Sequence, residues 1–112
     1  MNKNEVPLPH VMPTGDNNYV LLETYEVAGT VIPQFYKTNG ANIPRLFWWI
    51  IPPFTPLYLP AVIVHDYWCD KEEYAKADAL FEEILFAIEK SIRTRLMVLA
   101  VRAYHRFRYG VK

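Results

Sequence analysis

The 112-residue chain carries twelve basic and twelve acidic residues, for a formal net charge of zero, and 52% of it is hydrophobic. This length fits one domain with its own core, and the apolar content excludes a disordered chain. The balanced charge excludes a global attraction to nucleic acid or anionic lipid.

Residues 1–18 contain Pro7, Pro9 and Pro13 and the run Gly15-Asp16-Asn17-Asn18. Proline denies this stretch a helix and much of a sheet ladder, which predicts an extended arm or surface wrap ahead of one globular domain over 19–112. Residues 19–27 alternate and are rich in Tyr, Val, Leu and Thr, the pattern of a strand. Ala28-Gly29 is the turn, and residues 30–38 read as the second strand of a hairpin. Pro33 cannot donate to a ladder, so that strand lies at an edge or carries a bulge.

Thr38-Asn39-Gly40-Ala41-Asn42-Ile43-Pro44 follows. Asn-Gly is a turn signal, and Pro44 suits the first position of a short helix over 45–51 that Pro52-Pro53 stops. After a connector over 54–58, a helix is expected from Leu59-Pro60 to about Cys69, with a polar break over 71–74. In the next helix Ala77, Leu80, Phe81, Ile84, Leu85 and Ile88 recur at the spacing of one face. Ser91 reads as the N-cap of a last helix over 92–109, ended by Gly110. Leu96, Leu99, Ala100, Ala103 and Phe107 are its expected buried stripe, widened by Met97, Val101 and Tyr104. The expected class is α+β: an N-terminal β-hairpin packed on a small bundle of three to four helices.

Candidate chemistry centres on His65 and Asp66. The apolar run Ala61-Val62-Ile63-Val64 before them indicates a helix buried on most sides. Neighbours on a helix point about 100° apart, so the two side chains serve different roles. His65 is a candidate general base, with Asp78 on the next helix as the partner that orients it. Asp66 is a candidate ligand for a divalent cation such as calcium, with Asp70 as a lesser candidate. The same His65–Asp78 pairing also serves as a plain structural hydrogen bond. No two-histidine spacing of a helical zinc motif is present. His10 and His105 read as surface or packing residues and Cys69 as a core residue. Being the single cysteine, it permits no intrachain disulfide, which fits a reducing compartment.

The Thr38, Asn39, Gly40 and Asn42 turn feeds a helix N-terminus, where backbone N–H groups can meet an anion or a carbonyl oxygen. Arg45 adds a fixed charge, and Tyr67 is a further candidate binding residue. Trp48 and Trp49 are consecutive, so a helix cannot bury both on one face. Acidic residues concentrate over 66–83 and basic ones over 90–112. That split reads as two helix faces that attract each other, or as a basic patch for an anionic partner. No apolar signal core opens the chain, and the longest proline-free apolar run, 46–51, is too short to span a bilayer.

The blocks T-N-G-A-N-I-P-R-L, L-P-A-V-I-V-H-D-Y, A-D-A-L-F and R-L-M-V-L-A-V-R resemble the family known as domain of unknown function 1353. The resemblance spans roughly residues 19–104 and implies an origin in bacteriophages or prophages. It places His65, Asp66, Tyr67 and Asp78 on the family pattern. The family usually reads Thr-Asp-Gly-Ala-Ser-Ile-Pro in the first block, so Asn39 and Asn42 depart from it and remove a charge. The His-Asp helix also resembles that of secreted phospholipases A2, although their disulfides and glycine-rich calcium loop have no counterpart here. Two functions follow as expectations. One is a virion component or host-directed binding protein, in the bacterial cytoplasm or the virion, with an unidentified protein partner. The other is a hydrolase with His65 as base.

Overall fold

A computed structural model of the chain describes residues 3–14, 19–38 and 58–109. The expected helix over 45–51, Trp48, Trp49 and the Gly110 terminus lie outside them. The expected α+β class is what is observed, with antiparallel strands preceding three helices among the described residues.

The helix α1, Leu59–Asp70, is the central element. Pro60 suits its first turn, where the missing N–H costs nothing. Every residue from Leu59 through Asp66 is buried. A helix that is apolar all round must be covered all round. Its far end closes with a left-handed residue: Glu72 has φ 60°. The Glu73 N–H donates to the Trp68 carbonyl and the Glu72 N–H to the Cys69 carbonyl, each at 2.9 Å. Those two bonds form a Schellman closure with glutamate where glycine is usual.

The connection over 71–73 leads into α2, Tyr74–Ile88. Its predicted stripe holds: Ala77, Phe81, Ile84 and Leu85 are fully buried, and Leu80 and Ile88 pack beside them. The helix α3, Ile92–Tyr109, starts at Ser91 as expected. The Thr94 N–H donates to Ser91 Oγ at 3.3 Å, and the Ser91 N–H donates to Thr94 Oγ1 at 3.0 Å, a reciprocal cap. Glu89 ties the three helices together. It accepts the Tyr58 hydroxyl at 3.2 Å from the start of α1 and the Ser91 hydroxyl at 2.7 Å from the start of α3.

The buried stripe expected for α3 is not the one observed. Thr94, Met97, Val98 and Val101 face the core and Ala100 of the expected stripe packs partly against it, whereas Leu96, Leu99, Ala103 and Phe107 point outward. Both faces of this helix are apolar, so periodicity alone could not choose between them. Met97 and Val101, expected only to widen the stripe, are part of its centre.

The strands also divide differently. The expected pair of long strands is interrupted in both arms, giving β2 (Tyr19–Leu21), β3 (Tyr25–Val27), β4 (Thr30–Ile32) and β5 (Lys37–Thr38). Strands β3 and β4 form a hairpin in register Tyr25↔Ile32 and Val27↔Thr30. Its turn residues Ala28 and Gly29 both have positive φ, 52° and 76°, the geometry that matches strand twist in a two-residue loop. At Pro33 the ladder stops, for want of an N–H. The chain then turns so that the Phe35 N–H donates to the Leu21 carbonyl at 2.8 Å. Strand β5 thereby pairs with β2, and Val11–Pro13 (β1) adds an edge strand on β2's other side.

Leu21, Tyr25, Val27 and Ile32 join the cluster formed by α1, α2 and α3. Because Met97 is fully buried and Leu99 is 62% exposed, Met97→Ala should cost about 2–5 kcal/mol and Leu99→Ala less than about 0.5 kcal/mol. Denaturant unfolding of the two variants measures the difference.

Candidate functional site

Three buried ionisable side chains sit where α1, α2 and β5 meet. His65 is 0% exposed, Asp66 2% and Asp78 3%. His65 and Asp78 are brought together: His65 Nε2 lies 2.9 Å from Asp78 Oδ1. The short connection between the helices puts Asp78 beside the last turns of α1, and Phe81, one turn further on, packs on the imidazole at 5.0 Å between ring centroids. Asp66 points elsewhere. It accepts a hydrogen bond from the Thr38 hydroxyl of β5. The different directions expected of neighbouring side chains on a helix are therefore seen in the contacts.

A second strand-to-helix bond runs parallel to the first. The Tyr36 hydroxyl donates to Asp70 Oδ2 at 2.5 Å. Asp66 and Asp70 are four residues apart on a helix, about 6 Å along its axis. Tyr36 and Thr38 are two apart on an extended chain, a rise of about 6.6 Å. The two spacings match, so the strand and the helix engage at two points rather than one. Trp68 extends the contact to the other sheet, its Nε1 donating to Thr30 Oγ1 at 3.1 Å. Thr30 and Tyr36 were not singled out as site residues from the sequence. The spacings of Tyr36 and Thr38 and of Asp66 and Asp70 match, but neither spacing says which strand faces which helix.

Tyr67 lies half-buried on the flank of this contact, edge-on to Tyr36 at 5.7 Å and to Trp68 at 5.4 Å. Lys71 Nζ stands 4.9 Å from its ring centroid, and Lys76 Nζ stands 3.8 Å from that of Trp68. Asn39, Gly40, Asn42 and Arg45 lie outside the described residues.

Cys69 is buried beside His65, its Sγ 3.7 Å from Nδ1 and 3.8 Å from Nε2. A thiol in line with one ring nitrogen would lie much farther from the other, so near-equal distances place the sulfur over the ring. Burial, and then the charges of Asp66, Asp78 and Asp70, push this thiol well above its ordinary range. It is a core residue in this setting, not an activated nucleophile. Burial, followed by the hydrogen bond to Asp70, likewise pushes the Tyr36 phenol up.

A hard cation needs six or more oxygen ligands. Among the described residues no group of three or more His, Cys, Asp or Glu is arranged to hold a metal ion, and Asp66 already accepts from Thr38. Also among them, no helix is long and apolar enough to cross a membrane.

The arrangement of α1, α2 and β5 uses the same blocks that carry the family resemblance. A family described as "Protein of unknown function (DUF1353)" matches residues 17–101. The chain belongs to the DUF1353 family. It is also 40% identical over 48 residues to the uncharacterized protein y4jT of Sinorhizobium fredii, across 42% of this chain and 14% of that protein. The chain thus spans about a seventh of the length of this relative, which is itself uncharacterized. No solved structure matches the chain.

Two measurements test the environments described. Cys69, the single cysteine, should fail to react with a thiol reagent such as DTNB in the native protein and react stoichiometrically in denaturant. The folded Tyr36 phenol titrates above the unfolded one, so its stabilisation is present in full below the ordinary tyrosine value of about 10 and is lost as pH rises beyond it. Denaturant midpoints should fall between about pH 9 and 11, and fall less steeply in Tyr36→Phe.

Proposed function

We propose that this DUF1353 chain is a non-enzymatic binding protein, serving as a virion component or in contact with a host protein. In this reading the His65–Asp78 and Thr38–Asp66 pairs are internal ties that hold the strands against the helices. The observation that carries it is the sealing of His65, Asp66 and Asp78 from solvent, each already engaged within the fold. A general base must reach the proton that it removes, and burial opposes that. The phage setting rests on the family resemblance of the four sequence blocks.

The 2.9 Å contact between His65 and Asp78 favours a second reading. A carboxylate that fixes an imidazole is the arrangement of a hydrolase in which His65 acts as base and Asp78 orients it. In that reading Asp66 takes part in cation binding, using ligands beyond the described residues.

Stability separates the two. Internal ties stabilise, so Asp78→Ala and Thr38→Val should each lower unfolding free energy by about 1–3 kcal/mol, because each removes a hydrogen-bond partner from a buried polar group. Catalytic groups are selected for activity, and their replacement commonly leaves stability unchanged or raises it. Unchanged or raised denaturant midpoints in both variants would sink the binding reading.

A further inference from the structure

The helix α3 has a second apolar face that the fold does not use. At about 100° per residue, Ile92, Leu96, Leu99, Ala103 and Phe107 form a stripe roughly 80° wide, opposite the core residues Thr94, Met97, Val98 and Val101. Phe107 is 90% exposed, Ile92 78%, Leu99 62% and Leu96 50%. The spacing is that of a heptad seam, with Ile92 and Leu99 at d and Leu96 and Ala103 at a.

Beside the seam lies a groove of about 240 Å³ between α2 and α3, lined by Glu82, Phe86, Arg95, Val98 and Leu99. A flat lipid surface does not enter such a hollow, whereas a side chain projecting from a helix does.

Charge selects among protein partners. The helix carries Arg93, Arg95, Arg102, Arg106 and Arg108 and no acidic residue. Arg102 pairs with Glu82 at 2.7 Å, but among the described residues Arg95 and Arg106 have no ion-pair partner. A second copy of α3 does not supply one. An antiparallel pair would set Arg95 and Arg102 against the same arginines, and a parallel pair would offer only Arg93, Ala100 and Phe107. Residues 39–57 of the chain, although apolar, contain Arg45 and no carboxylate.

We infer that the outward face of α3 docks an acidic amphipathic helix of another protein. Apolar residues of that helix fill the seam and the groove, and its flanking carboxylates pair with Arg95 and Arg106. This deepens the binding reading and rests on it. A catalytic role for His65 would not alter peptide docking, and loss of docking would not alter the stability of Asp78 or Thr38 variants, so the two failures are told apart.

The test uses the full chain and two fluorescent synthetic helical peptides, both with leucine at a and d, one flanked by glutamate and the other by lysine. Fluorescence anisotropy should show saturable binding of the acidic peptide alone. Leu99→Glu and the double variant Arg95→Glu/Arg106→Glu, checked for unchanged helicity by circular dichroism, should each weaken it at least about tenfold. Added salt should weaken it as well. Equal binding of both peptides, no binding up to about millimolar concentration, or binding indifferent to Leu99→Glu overturns the inference. Two further results overturn it by naming another occupant. One is Leu99-dependent binding to phosphatidylserine vesicles in place of the acidic peptide. The other is a dimer in sedimentation that Leu99→Glu dissociates.

Discussion

The cover over α1 is the constraint on which the rest of the structure depends. Its first eight residues are buried without exception, so no side of it can be left to water. Burying His65 and Asp66 within that segment adds a second demand, since an unpaired buried polar group costs about 1–3 kcal/mol. The two side chains point to different neighbours, and each neighbour is thereby fixed. Asp78 brings α2 to the histidine, and Thr38 brings β5 to the aspartate. The polar pairs specify which elements cover the helix, and the apolar residues supply the area that is covered.

The second joint, at the opposite end, uses a single carboxylate. Glu89 collects hydroxyls from Tyr58 and Ser91, so the start of α1, the end of α2 and the start of α3 share one acceptor. Between the two joints the core is continuous from Leu21 to Val101. The strand layer adds to this frame by a ladder that breaks wherever the backbone cannot donate or must turn, at Pro33 and at the left-handed Phe35.

What was legible in the sequence follows from how singular each signal was. Helix α2 has one apolar face and one polar face, and its stripe read correctly. Helix α1 has no periodicity, yet its run of apolar residues already implied burial on every side. Helix α3 misled because Leu96, Leu99 and Phe107 are as apolar as Met97, Val98 and Val101, and no local property distinguishes a face that meets the core from one that meets water. Asp78 was legible as the partner of His65, because a buried imidazole demands an acceptor and the next helix offers one beside its stripe. The Thr38–Asp66 bond joins residues 28 positions apart, and local pattern does not report such pairings. Pro33 announced the break in its strand but not where the chain would go next.

The order of synthesis gives the buried helix another consequence. The inner faces of β3 and β4 leave the ribosome before α1 does, while Tyr25 and Ile32 still lack the helices with which they share one core cluster. At about 5–20 residues per second, the hairpin waits a few seconds for the helix that shelters it. During that interval Glu26 and Val31, which point to solvent in the finished protein, leave only one charge on the hairpin's outer side. The hairpin's burial is complete only once both helices have followed it, because Tyr25 and Ile32 share one cluster with residues of α1 and α2.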